Sequence, residues 1–141
     1  MTENNRWGIL FCPKGGLLNS MHRRWQRIEK ALNAQHVQYD MVQSESMGSV
    51  ERLVKMMINN GYKTIVIVGG DSALNDAVNC LMQVDKSVRD TISLGVIPNG
   101  MMNDFARFWE VEEGDIEHNV AALKRHRIRK IDLGCIRYTN R

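Results

Sequence analysis

Proline and cysteine are scarce: two prolines and three cysteines in 141 residues. So few prolines exclude a proline-rich or collagen-like chain. Cys12, Cys80 and Cys135 lie far apart, without a CxxC pair, which excludes a disulfide framework or a zinc knuckle. They are expected to be small buried hydrophobes in a reducing compartment. His22, His36, His118 and His126 are scattered, with no zinc-ligand spacing. Long apolar runs are also missing. Gly8–Cys12 and Ile65–Val68 are the longest, far below the ~18 residues a membrane span needs. The first six residues carry an acid and amides where a secretory signal would become apolar. A cytoplasmic location is therefore expected. Net charge is +3, which suits an anionic small ligand and is too small to argue for nucleic acid.

A chain of this length makes one domain and buries roughly 68–70% of its unfolded surface. Apolar residues alternate between two periodicities. Trp7–Cys12 reads as a strand that runs into Pro13-Lys14-Gly15-Gly16. Leu18, Met21, Trp25, Ile28 and Leu32 form a helical stripe. Val37–Val42 suits a strand near a sheet edge. Val50, Leu53, Val54, Met57 and Ile58 make a second helix, with Ser49 as its expected N-cap and Asn60-Gly61 as its stop. Thr64–Val68 is β-branched throughout, as expected for a central strand covered on both faces. Leu74, Ala77, Val78 and Leu81 form another helix, and Ile92–Ile97 a fourth strand. A short helix capped by Asn103 or Asp104 follows, then a helix over 115–124 and a last strand through Ile131, Leu133 and Cys135. This alternation predicts an α/β fold: a Rossmann-like three-layer domain with a parallel sheet.

In open parallel sheets the ligand binds beyond the carboxyl ends of the strands. Those ends carry Pro13-Lys14-Gly15-Gly16, Ser44-Glu45-Ser46, Gly69-Gly70-Asp71-Ser72 and Pro98-Asn99-Gly100-Met101-Met102-Asn103-Asp104. Glycine turns feeding helix N-termini offer free amides and partial positive charge to a phosphate. Neither turn is a Walker A loop or a GxGxxG fingerprint. The GGD tripeptide after the most apolar strand, followed one strand later by an Asn-Asp pair behind another glycine, is the stronger signal.

Val68-Gly69-Gly70-Asp71-Ser72-Ala73-Leu74-Asn75-Asp76-Ala77-Val78-Asn79 resembles the GGDGTLNEVVN block of the diacylglycerol kinase catalytic domain. Leu94–Arg107 resembles its LGIIPxGTGNDFAR block, Cys12–Gly16 its NPxxG turn, and Ile131-Asp132-Leu133-Gly134 its IDLG strand. The four blocks occur in the family's order over nearly the whole chain. The resemblance implies an ATP-binding domain of a lipid kinase that moves the γ-phosphoryl of ATP, with Mg2+, to a lipid hydroxyl such as that of diacylglycerol. It implies a β-rich acceptor domain after the IDLG strand. Residues 1–141 then form the ATP-binding domain alone, expected to be inactive without that second lobe. It also implies that Gly69, Gly70 and Asp71 line the phosphates and that Asn75 and Asp76 lie near the ribose. Ser44 falls where the family has a nucleotide-contacting Thr, and Gly100, Met101 and Asn103 belong to the second turn. No residue is assigned as a metal ligand. Asp71 is the catalytic candidate, acting through Mg2+ or as a proton acceptor; its structural alternative is a helix N-cap.

The sequence departs from the family pattern at three turns. Ser72-Ala73 replaces Gly-Thr, Met101-Met102 replaces Thr-Gly, and Cys12 replaces Asn. A left-handed backbone at 72 would make Ser cost on the order of 1 kcal/mol. These departures support a second reading, a catalytically silent nucleotide-binding module. NAD kinases and phosphofructokinases also carry a GGD-type turn, which gives a third. Lys124–Lys130 concentrates basic residues. They complement the dipole of a helix opened by Asp115 and Glu117, or attract the chain peripherally to an anionic membrane.

Overall fold

The computed structural model describes residues 4–13, 18–45, 48–100, 102–112, 114–126, 128–137 and 139. The elements are β1 (Asn4–Phe11), α1 (Leu18–Ala34), β2 (Tyr39–Gln43), α2 (Ser49–Asn59), β3 (Tyr62–Gly69), α3 (Asp71–Gln83), α4 (Lys86–Arg89), β4 (Ser93–Pro98), α5 (Asp104–Phe108) and α6 (Ile116–Lys124). Among the described residues one four-stranded sheet forms, in the order β2-β1-β3-β4. All its pairings are parallel. The fold is the expected three-layer α/β domain.

The layers follow from strand alternation. On β3, Val66 and Val68 face one side and Ile65 and Ile67 the other, and all four are fully buried. Val66 and Val68 pack with Ile9 and Phe11 of β1, Ile28 and Leu32 of α1, and Ile116 and Val120 of α6. Ile65 and Ile67 pack with Leu10 of β1, Val50, Leu53, Val54 and Met57 of α2, and Ala77 and Cys80 of α3. A strand with two cores has no polar face, which is why Ile65–Val68 is apolar without interruption. From β1 the chain passes through α1 to β2. It then reverses direction, passing β1 to reach β3 and β4. The switch point lies between β1 and β3.

The amino-terminal ends of the strands are tied by a polar latch. Arg6 donates to both carboxylate oxygens of Asp40 at 2.9 and 3.1 Å, and the Tyr62 hydroxyl donates to the same carboxylate. These hydrogen bonds from Arg6 and Tyr62 hold Asp40 below its ordinary range. At the end of α2, Asn60 is the C-cap and Gly61 takes φ +85. That is the left-handed helix stop that Asn60-Gly61 predicts.

The structure corrects four expectations. Ser49 is the first residue of α2, whose N-cap is Gly48; the Ser49 hydroxyl instead meets that of Ser44 at 2.6 Å. Residues 85–90, read as a polar connection, include the single turn α4. The described residues from 128 to 137 form no strand. Ile131, Leu133 and Ile136 are 47%, 49% and 87% exposed, so their alternation has no buried face to stabilise pairing. Finally, Cys80 is buried, but Cys12 is only partly so and Cys135 is exposed.

Ile67 lies at the centre of the core between the sheet and α2/α3. Ile67→Ala is expected to lower the unfolding free energy by about 2–5 kcal/mol, read as a reduced urea midpoint with an unchanged m-value.

Candidate functional site

The registers bring the carboxyl ends of the strands to one edge. Phe11 pairs with Gln43 and with Val68, and Gly69 pairs with Pro98. Cys12, Ser44, Gly70 and Gly100 therefore follow their strands along a common rim, next to the switch point. Backbone bonds knit it together: Cys12 N–H donates to Val68 O at 2.8 Å, Ser44 N–H to Phe11 O at 2.9 Å, and Asn99 N–H to Gly69 O at 2.9 Å.

The two glycine turns touch backbone to backbone. A Cβ on Gly70 would lie 2.8 Å from the Gly100 Cα. A Cβ on Gly100 would lie 2.3 Å from the Gly70 Cα. Only glycine at both positions permits this approach. Asn103 completes the second turn. Its φ is +53, a left-handed conformation that Asn tolerates better than most residues. Its Oδ1 accepts from Gly100 N–H at 2.8 Å, and its Nδ2 donates to Gly100 O at 3.0 Å. The buried side chain thus closes the turn on itself and fixes Gly100 against Gly70.

Asp71 opens α3 directly behind Gly70, the N-cap. Its carboxylate accepts the backbone N–H of Asp104 at 2.7 Å and of Phe105 at 3.0 Å. Asp71 is therefore a cap, but for α5 rather than for its own helix. Asn103 holds the N-cap position of α5 without a side-chain cap bond. Ser72 and Ala73 lie in the first turn of α3. Ser72 is helical and not left-handed, so Ser in place of Gly carries no backbone strain there. The first-turn amides of a helix have no intrahelical acceptor, and those of α3 lie beside the paired glycines.

Asn75 is exposed and Asp76 half-buried, one turn further along α3. Burial, with Glu51 contributing, raises the Asp76 carboxyl above its ordinary range. Ser44 is buried at the rim with its hydroxyl against Ser49. Gly69 packs against Ala73 and Cys12; a Cβ there would lie 3.1 Å from Ala73 Cβ and 3.3 Å from Cys12 Cβ. Burial, with Asp76 adding to it, pushes the Cys12 thiol up to about 11. Met101 and the glycines of the first turn, Gly15 and Gly16, lie outside the described residues.

Two side chains that shape this rim were not among the expected site residues. Asn99 is buried and donates from Nδ2 to Cys12 O at 3.0 Å, joining the ends of β1, β3 and β4. Arg24 of α1 donates to Pro98 O at 2.8 Å. A polar residue between Pro98 and Gly100 was the available signal for Asn99. Arg24 had none, because its position in a helical pattern gives no hint of a partner 74 residues away.

Past the rim, α5 carries an aromatic group. The Trp109 ring lies 6.4 Å from Phe105, 5.3 Å from Phe108 and 5.4 Å from the Arg129 guanidinium. Among the described residues no group of three or more His, Cys, Asp or Glu side chains could hold a metal ion. No helix among them is long and apolar enough to cross a membrane.

Comparison with known proteins matches residues 6–136 to the diacylglycerol kinase catalytic domain. "Putative lipid kinase YtlR" of Bacillus subtilis is 27% identical over 137 residues, covering 95% of this chain and 42% of that protein. "Putative lipid kinase SERP0390" of Staphylococcus epidermidis is 31% identical over 111 residues, covering 76% and 35%. The crystal structure of a "putative diacylglycerol kinase" from Bacillus anthracis superposes with a TM-score of 0.72 at 21% identity, over 89% of this chain and 44% of that one. The chain thus spans less than half the length of these relatives.

Gly100→Ala would drive a methyl into the Gly70 backbone and is expected to cost about 1–3 kcal/mol or more. Gly48→Ala, with open space around it and φ −83, is expected to change stability by less than about 0.5 kcal/mol. Thermal or urea unfolding of the two variants side by side checks both. Thiol reactivity tests the environment of Cys12. The exposed Cys135 is expected to react first at neutral pH. Reaction at Cys12 is expected to rise only as pH approaches about 11, because the thiolate is the reactive form.

Proposed function

The chain belongs to the diacylglycerol kinase catalytic domain family, and on that footing we propose that it is the nucleotide-binding part of a lipid kinase. The supporting observation is the backbone contact between Gly70 and Gly100 at the N-terminus of α3. A helix end with free amides and partial positive charge receives a phosphate. Two turns that meet without Cβ atoms between them form a continuous backbone surface beside those amides. Position 72 enters the first turn of α3 in ordinary helical geometry, so the exchange of Gly for Ser keeps the amides where the family pattern needs them. This favours a working nucleotide site over a silent one.

In this reading the first-turn amides of α3, at Asp71, Ser72 and Ala73, receive the phosphates, with Gly69, Gly70, Gly100 and Asn103 forming the floor. Asn75 and Asp76 lie one turn on, toward the sugar, and Ser44 closes the side next to β2. The residues fit the anionic part of ATP: glycine backbone and helix amides, with the carboxylate of Asp71 turned to α5. Mg2+ enters as part of the ATP·Mg2+ substrate, neutralising charge on the phosphates. The domain binds and orients. The phosphoryl acceptor is a lipid hydroxyl such as that of diacylglycerol, presented by the β-rich acceptor lobe that the family resemblance implies after the IDLG segment. Peripheral contact with an anionic membrane through the basic cluster at 124–130 would bring that acceptor within reach.

Calorimetric titration with ATP·Mg2+ checks the reading. Saturable one-to-one binding in the micromolar to millimolar range is expected, with no phosphate transfer to diacylglycerol by the chain alone. The double variant Ser72→Gly/Ala73→Thr is expected to change affinity little; a sharp gain would favour the silent module. No binding at millimolar nucleotide, together with an inactive longer parent chain, would defeat the kinase reading.

A further inference from the structure

The carboxylate of Asp71 looks away from α3. Both its oxygens accept backbone amides of α5, from Asp104 at 2.7 Å and from Phe105 at 3.0 Å. α5 cannot obtain these bonds locally. Asn103, at its N-cap position, has its amide group engaged with the N–H and the carbonyl of Gly100. The Asp104 carboxylate pairs with Arg107. The acceptor that a helix start requires is therefore imported from another turn of the sheet, and the same residue starts α3. Asp71 thus bridges the helix behind the first glycine turn and the helix behind the second.

From this geometry we infer that Asp71 is a positioning residue, which holds the start of α5, and with it the second glycine turn, against the first, and is not a ligand of the metal. The inference rests on the nucleotide-binding reading, since the rim so fixed is the one a polyphosphate would lie against. Carboxylate-to-amide bonds are charge-assisted and short, and a pair of them on consecutive amides fixes direction as well as distance. A carboxylate recruited by Mg2+ would have to share or release those amides. Held as it is, the Asp71 side chain orders the second turn before any ligand arrives. Part of the entropic cost of forming the site is then met during folding.

Amide hydrogen exchange on the full chain, without nucleotide, tests the link directly. Asp71→Ala is expected to speed exchange at Asp104 and Phe105 by about tenfold, with the centre of β3 unchanged. Asp71→Asn keeps one acceptor oxygen and is expected to fall between the two, which preserves the test if the alanine variant does not fold. Calorimetry with ATP and with ATP·Mg2+ then separates positioning from metal ligation. Positioning predicts that Asp71→Ala weakens both by the same factor and that Asp71→Asn partly restores both. Unchanged exchange at 104 and 105 overturns the inference, as does a loss confined to ATP·Mg2+. If the unaltered chain binds neither form, the nucleotide reading fails and the proposed purpose with it, while the exchange data still decide whether Asp71 holds α5.

Discussion

Two glycine backbones in contact set the geometry of the rim. Gly70 ends the link from β3 to α3, and Gly100 ends the link from β4 toward α5. Neither position has room for a Cβ. The strand register brings the two turns to the same height. Asn99 fastens both to the end of β1, and Asn103 and Asp71 fix the second turn from either side. Side-chain bonds thus reinforce the backbone bonds of the rim, and the first-turn amides of α3 are unspent by the helix.

The sheet supplies rigidity from below. Its central strand is buried on both faces, and the opposite end of the strands is closed by the Arg6–Asp40–Tyr62 latch. The latch thus ties the amino ends of the strands, opposite the carboxyl-end edge where parallel sheets take their ligands. The sequence departures from the family pattern fall on that edge. Ser72 is accommodated without strain because the helix has already begun there, and Cys12 lies against Gly69 as a neutral, half-buried thiol.

Much of this was legible in the residues. The unbroken β-branched run at 64–68 marked the central strand, since a strand with two cores has no reason to alternate. Asn60-Gly61 marked the end of α2, since few other residues accept φ +85. The two glycine turns were found by their place after strands. Pairings that join distant parts of the chain were harder to see. Asp71 read as the catalytic candidate, with a cap of its own helix as the alternative because local capping is the common case, and only the folded chain shows that its carboxylate reaches residue 104. Ser49 read as an N-cap for the same reason, although its hydroxyl is drawn to Ser44. The alternation at Ile131, Leu133 and Cys135 carried the periodicity of a strand, but periodicity records only which residues could share a face. It says nothing about whether a covering surface is present.

Trp109 sits at the far end of the short helix whose first amides Asp71 holds, its ring flanked by Phe105, Phe108 and Arg129. Trp7 is buried in the sheet, and Trp25 packs against the core from α1 with Phe11 and Tyr39 as its ring neighbours. With Trp7 and Trp25 replaced by Phe, the remaining indole would serve as an intrinsic optical reporter whose emission colour and quenching track the posture of the second turn.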